Sequence, residues 1–370
     1  MNSKAPTKTM DSKDAESKDV DAIRRGEAWA DYLNSVCADD PAAGPLSGVD
    51  LLAMGDSWFH YFPPFDVLVA LENKYGYAYR SVAVAGEKLA ALAPPDDWEP
   101  PSGSAVPPAR PAENGRQLCE LLALLKSLGP AGGSCVSAVL LSGGGDDVAS
   151  DRAVLESLLN PAPTVPAINA DKFRELVDNK LRARLAAVLS ATTHLCRLYL
   201  HRDVPIVIHG YAHPVPDGRG GGGPPWLKPS FDRLGYTELV DSTRVMADLI
   251  DGLNSMQTSL IRDNPSAFAH VTHVDVRPAL SDALAANAYR VDWQNELHPT
   301  IPRGFTLVAD RFDQALRLLP PATNPPQPGS PAASATASAG PRTRRMPHHA
   351  DDALRQHYRV PLRSPRDTSR

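Results

Sequence analysis

The chain has 370 residues, of which 36 are proline and 25 glycine, and 42% are hydrophobic; proline at about twice ordinary usage excludes helix and central strand from much of it. No window approaches the roughly 18 to 20 uninterrupted apolar residues of a membrane span, which excludes an integral helical membrane protein. The net charge of -5 hides two unlike parts, because residues 321–370 hold eight Arg and three Asp while residues 1–320 carry -10, and so acidic a body excludes a general nucleic-acid groove.

In chain order, residues 1–20 mix Lys, Asp, Ser and Thr with little to bury and predict a disordered charged head. They contain no apolar leader segment, so the cytoplasm is the expected location. A body at 21–320 opens with a helix at Ile23–Val36, where Trp29, Leu33 and Val36 recur at helical spacing. Five short apolar runs follow, Val49–Met54, Tyr79–Ala85, Val136–Leu141, Val204–Ile208 and Val271–Val276. Between them helical patterns cover Phe65–Lys74, Gly115–Leu128, Asp171–Tyr199 and Glu238–Ile261, and another covers Phe305–Leu318. Unalternating strands separated by helices predict an α/β fold, a doubly wound, flavodoxin-like three-layer α/β/α sandwich on a five-stranded parallel sheet. Residues 321–370 are a Pro-rich basic tail, expected to be disordered, in which Leu354–Leu362 is a candidate docking segment with no partner named by the sequence. Cys37, Cys119, Cys135 and Cys196 lie far apart without C-x-x-C spacing and read as buried reduced thiols.

Ligands in such sheets bind beyond the carboxyl ends of the strands, and the polar and glycine-rich residues cluster there. The first strand runs into Gly55-Asp56-Ser57-Trp58, where a serine can present its hydroxyl above the sheet. The second ends at Gly86, a position for an exposed backbone N–H, and the third runs into Gly143-Gly144-Gly145-Asp146-Asp147 without the lysine of a nucleotide-binding loop. Beyond the last strand comes Asp292-Trp293-Gln294-Asn295-Glu296-Leu297-His298, a histidine among acidic residues that suits a general base. Alone, each segment also reads as a turn or helix cap; together they reach the same edge of the sheet.

In that order these segments resemble the SGNH hydrolases, the GDSL-type esterases and lipases. Gly55-Asp56-Ser57 is similar to the family's first block, Gly86 to the second, Gly144-Gly145-Asp146-Asp147 to the third and His298 to the fifth, over roughly residues 49–318. The resemblance implies a carboxylic ester hydrolase acting on a small-molecule ester through an acyl-enzyme, without a metal or organic cofactor. It implies Ser57 as nucleophile, His298 as base, and an oxyanion hole from Ser57, Gly86 and the third-block position. Two departures stand out. The family's asparagine is here Asp146, which repels an oxyanion when ionised, so either burial keeps it protonated or the Ser57 and Gly86 N–H groups act alone. The position three before His298, usually aspartate, is Asn295, which makes Asp292 the favoured acid, with Glu296 a further candidate and Asn295 a possible orienting partner.

Both departures also favour an alternative, a catalytically degenerate hydrolase-fold protein that binds without cleaving. A third reading is a metal-dependent hydrolase using Asp56, Asp146, Asp147 and His209. His209, Tyr211 and His213 beyond the fourth strand are candidates to line the pocket or bind a metal, and Trp58–Phe62, the Gly220–Gly223 run with Trp226, and the Pro94–Pro111 insertion are candidate pocket walls or covers.

Overall fold

The structure, a computed structural model, describes residues 12–37, 46–62, 64–100 and 114–320. These belong to one unit, Met1–Pro326; the expected tail at 321–370 and residues 101–113 of the insertion lie outside the described residues. The principal elements are α1 (Ser12–Val36), β1 (Leu51–Met54), α2 (Val67–Tyr75), β2 (Tyr79–Ser81), α3 (Arg116–Gly133), β3 (Ala138–Leu141), α4 (Arg182–Leu200), β4 (Ile206–His209), α5 (Leu239–Asp263), β5 (Val271–Val274) and α6 (Arg303–Leu318).

All five strands are parallel, in the order β2-β1-β3-β4-β5. This is the flavodoxin-like order expected from the sequence. The central strands β1, β3 and β4 are buried along their whole length, because helices cover both faces and leave no side for a polar residue. On one side α2 packs against α6; elsewhere α4 packs against α1, α3 and α5. Local chemistry sets the helix ends. Asp66 caps α2 by accepting from the Leu68 and Val69 N–H groups, and Gly76 ends it at φ 77°, in the left-handed region. A π-helical stretch, Arg174–Leu181, precedes α4.

Helix α1 begins at Ser12, inside the stretch read as a disordered head. Charge patterning hides the reason, which is tertiary: Asp19 is buried and accepts a forked bond from Arg182 at 2.6 and 2.9 Å and another from Asn264 at 2.8 Å. The expectation of four reduced thiols also needs correction, since Cys37 and Cys119 form a disulfide with Cα atoms 6.0 Å apart. Cys196 is free and buried, and Cys135 is free but exposed. The disulfide closes an 82-residue separation that spacing along the chain cannot reveal. Because it restricts so long a loop in the unfolded chain, Cys119→Ser is expected to cost ~2–5 kcal/mol. The urea midpoint measured with and without reductant checks this, and the reductant should have no further effect on the variant.

Candidate active site

The end of β1 is held in a conformation open only to glycine. Gly55 has φ 128°, and a Cβ there would lie 2.0 Å from the Ser142 carbonyl oxygen at the end of β3. The Gln117 side-chain amide on α3 clasps this residue from both sides, accepting from the Gly55 N–H at 2.7 Å and donating to its carbonyl at 2.9 Å. Ser57, two residues on, therefore projects from a fixed backbone.

The Ser57 Oγ lies 2.8 Å from His298 Nε2, and His298 Nδ1 lies 3.1 Å from Asn295 Oδ1. An amide oxygen can only accept, so Nδ1 carries the proton and Nε2 is left to accept from the serine hydroxyl. Asn295 is itself fixed: its oxygen accepts from the Leu297 and His298 N–H groups, and its amide donates to the Tyr61 hydroxyl at 3.1 Å. The Tyr61 ring lies on the imidazole at 4.3 Å between centroids, and Trp226 meets it edge-on at 5.9 Å. Burial pulls the His298 pKa down to about 4, so the ring is neutral, and able to take a proton, above that pH.

Asp292 does not join this pair, which corrects the expectation that it is the orienting acid. Residues 292–300 turn back on themselves through bonds from Gln294 N–H to His298 O and from Thr300 N–H to Asp292 O. That turn brings the residue three before His298 to its side and sends Asp292 elsewhere, where it accepts from the Ser281 N–H and Arg303 Nε, each at 2.9 Å. Glu296 also faces away. Fully buried, it accepts from four backbone N–H groups, those of Gly218, Trp226, Leu227 and Lys228, at 2.7–3.0 Å. It thus pins the glycine-rich loop whose Trp226 borders His298. Glu296→Gln replaces one accepting oxygen by a donor that faces N–H groups, so it is expected to cost about 3 kcal/mol or more of stability. Urea unfolding checks this, and KM should rise as the loop loosens.

Asp146 lies with Ser57 in the wall of one pocket, at the start of the short helix Gly145–Ala149. Burial, reinforced by the neighbouring Asp56 and Asp147 carboxyls, raises its pKa to about 8, so at neutral pH it keeps its proton and is a donor. Asp147 turns away and accepts from the Leu89 N–H at 2.8 Å. Gly86 occupies an exposed turn at φ 79°, on a segment that runs beside Gly55 through the bond from Val84 N–H to Gly55 O.

Beneath the serine lies a buried network. Ser142 Oγ is 2.6 Å from Asp56 Oδ1 and 2.9 Å from His209 Nε2, His209 Nδ1 is 2.6 Å from the Gly210 carbonyl, and the Tyr211 hydroxyl donates to Asp56. Burial raises the Asp56 pKa and lowers that of His209 to about 4. Asp56 Oδ1 accepts from the Ser142 hydroxyl and from the Trp58 N–H at 3.0 Å, and Oδ2 accepts from Tyr211, so three donors hold the buried carboxyl. Asp56 and His209 thus bond through a serine, and His213 pairs instead with Asp251 and Asp282. Among the described residues no group of three or more His, Cys, Asp or Glu is placed to hold a metal ion.

Of the aromatic run after the serine, Trp58 enters the pocket wall, Phe59 joins the core and Phe62 is 86% exposed. The described part of the insertion anchors elsewhere, with Trp98 edge-on to Trp29 of α1. Sequence reasoning missed Gln117 and Ser142. The first had a signal, a glutamine in the apolar stripe of Leu118, Leu121, Leu122 and Leu125; the second had only its place at the strand exit.

No protein-family model and no curated protein matches the sequence. Among solved structures, the chain is similar to a protein named as a GDSL-like lipase from Parabacteroides merdae, at 14% identity over 75% of this chain and 100% of that one, TM-score 0.40. It is also similar to an acetylxylan esterase from Geobacillus stearothermophilus, at 12% identity over 74% and 96%, TM-score 0.36. A third similarity is to a protein named as an arylesterase from Agrobacterium tumefaciens, at 15% identity over 73% and 98%, TM-score 0.36. Likeness at this level carries no inference about activity, which rests on the distances within the site itself.

Proposed function

We propose that the protein is a serine hydrolase of the SGNH type that cleaves a carboxylic ester through an acyl-enzyme. The observation that carries this reading is the Ser57 Oγ to His298 Nε2 contact at 2.8 Å, with the other ring nitrogen turned to Asn295. A serine hydroxyl is a weak nucleophile until a base takes its proton as it attacks.

As the Ser57 Oγ bonds to the ester carbon, its proton passes to His298 Nε2 and the carbonyl π-electrons move onto oxygen. The Ser57 and Gly86 N–H groups and the Asp146 carboxylic acid are the donors for that oxyanion. The C–O bond to the leaving alcohol then breaks, and the imidazolium returns its proton to the departing oxygen. A water repeats the sequence on the acyl-enzyme and frees the acid. Asn295 does for His298 what an aspartate does elsewhere in fixing tautomer and orientation, but adds no negative charge to stabilise the imidazolium; Cys-His-Asn proteases use the same neutral partner. The full chain is expected to be labelled by a fluorophosphonate probe at Ser57 and to hydrolyse p-nitrophenyl acetate. Absence of both overturns the proposal.

A further inference from the structure

We infer that the acyl group this site accepts is short and apolar, of about two to four carbons, and that Met246 and Ile250 on α5 set its length. The inference rests on the ester-hydrolase reading and adds the substrate class to it. Its observation is the pocket beside Ser57, walled by Trp58, Tyr211, Met246, Ile250, Trp293 and Leu297.

The path of the proton decides which half of an ester enters. In the tetrahedral intermediate the leaving oxygen must face His298 Nε2 to receive its proton, and the oxyanion must face its donors. The pocket is bordered by Ser57 and Asp146, and His298 is not among its lining residues. The substituent left to fill it is the acyl chain. The alcohol faces the His298 side, where Tyr61 and Trp226 stand.

The cavity volume is about 30 Å³, and a single water needs ~10–15 Å³ on this measure. That leaves room for at most about two or three heavy atoms beyond the carbonyl, so acetyl, propionyl and butyryl chains fit and longer ones do not. The walls resist enlargement on one side. Trp58 contacts Tyr211 edge-on at 5.3 Å and Trp293 edge-on at 6.4 Å, and the Tyr211 hydroxyl is tied to Asp56. Met246 and Ile250, both buried on α5, also line the pocket, so a longer chain must push into that helix. Apart from Asp56, Ser57 and Asp146 near the reacting carbon, the lining offers no charged side chain to an acyl group bearing charge.

The test is a series of p-nitrophenyl acetate, butyrate and octanoate on the full chain, beside fluorophosphonate labelling. Acetate or butyrate is expected to exceed octanoate in kcat/KM by about 10- to 200-fold, the discrimination an apolar pocket gives for a misfit chain. Ile250→Ala, with Met246→Ala as an independent second variant, should move the optimum toward longer chains while labelling persists. Octanoate hydrolysed by the wild type as well as acetate overturns the inference and leaves the hydrolase reading standing, as does labelling without hydrolysis of either short ester. Loss of both labelling and hydrolysis at every chain length in the wild type overturns both.

Discussion

Replacing Ser57 by alanine is expected to lower kcat/KM for a short p-nitrophenyl ester between about 10⁴- and 10⁶-fold and to abolish fluorophosphonate labelling. His298→Ala should cost a similar factor, and the double variant little more than either alone, because serine and imidazole act as one proton-transfer unit. The folded state should tolerate the serine change, since its hydroxyl is directed at His298 and not at the core. Unchanged circular dichroism and Tm beside the lost activity would separate chemistry from folding. The measurement also discriminates against a metal-dependent hydrolase using Asp56 and His209: activity that survived Ser57→Ala but disappeared with a chelator would sink the serine mechanism.

The residues carrying this prediction were legible because a parallel sheet converts chain order into place. Each of β1, β2 and β3 delivers its next few residues to the same edge, so the place of Ser57, Gly86 and Asp146 at that edge followed from the strand ends, while the roles proposed for them came from the resemblance. His298 was legible as a histidine beyond the last strand. Its partner was not, because Asp292, Asn295 and Glu296 are all within six residues and only the turn at 292–300 decides which one faces the imidazole. Charge favoured the two carboxylates, yet both are engaged in holding loops, Asp292 on Ser281 and Arg303 and Glu296 on four N–H groups. Contacts across long separations were invisible for a different reason. The Gln117 clasp on Gly55, the Asp19–Arg182 pair and the Cys37–Cys119 bond all depend on how α1 and α3 lie over the sheet, which no local period encodes.

Asp146→Asn is expected to remove an alkaline limb from the pH profile of kcat/KM. In the wild type, activity should rise as pH passes about 4, where His298 loses its proton and becomes a base, and fall as pH passes about 8, where Asp146 ionises. Above that point the carboxylate turns from donor into a negative charge facing a developing oxyanion, a loss worth up to ~10²–10³-fold. Asparagine donates at every pH, so the variant should match the wild type near pH 6 and exceed it near pH 9 to 10. A second, non-kinetic readout follows from linkage. The Asp146 carboxyl holds its proton to about 8 in the folded protein against an ordinary value of 3.8, so folding takes up a proton between those values and wild-type stability falls as pH rises through that window. The asparagine variant lacks this term, and its Tm advantage should widen from pH 4 to pH 8 and then level off. Identical profiles for the two proteins would place Asp146 outside the oxyanion site and leave the Ser57 and Gly86 N–H groups to carry it.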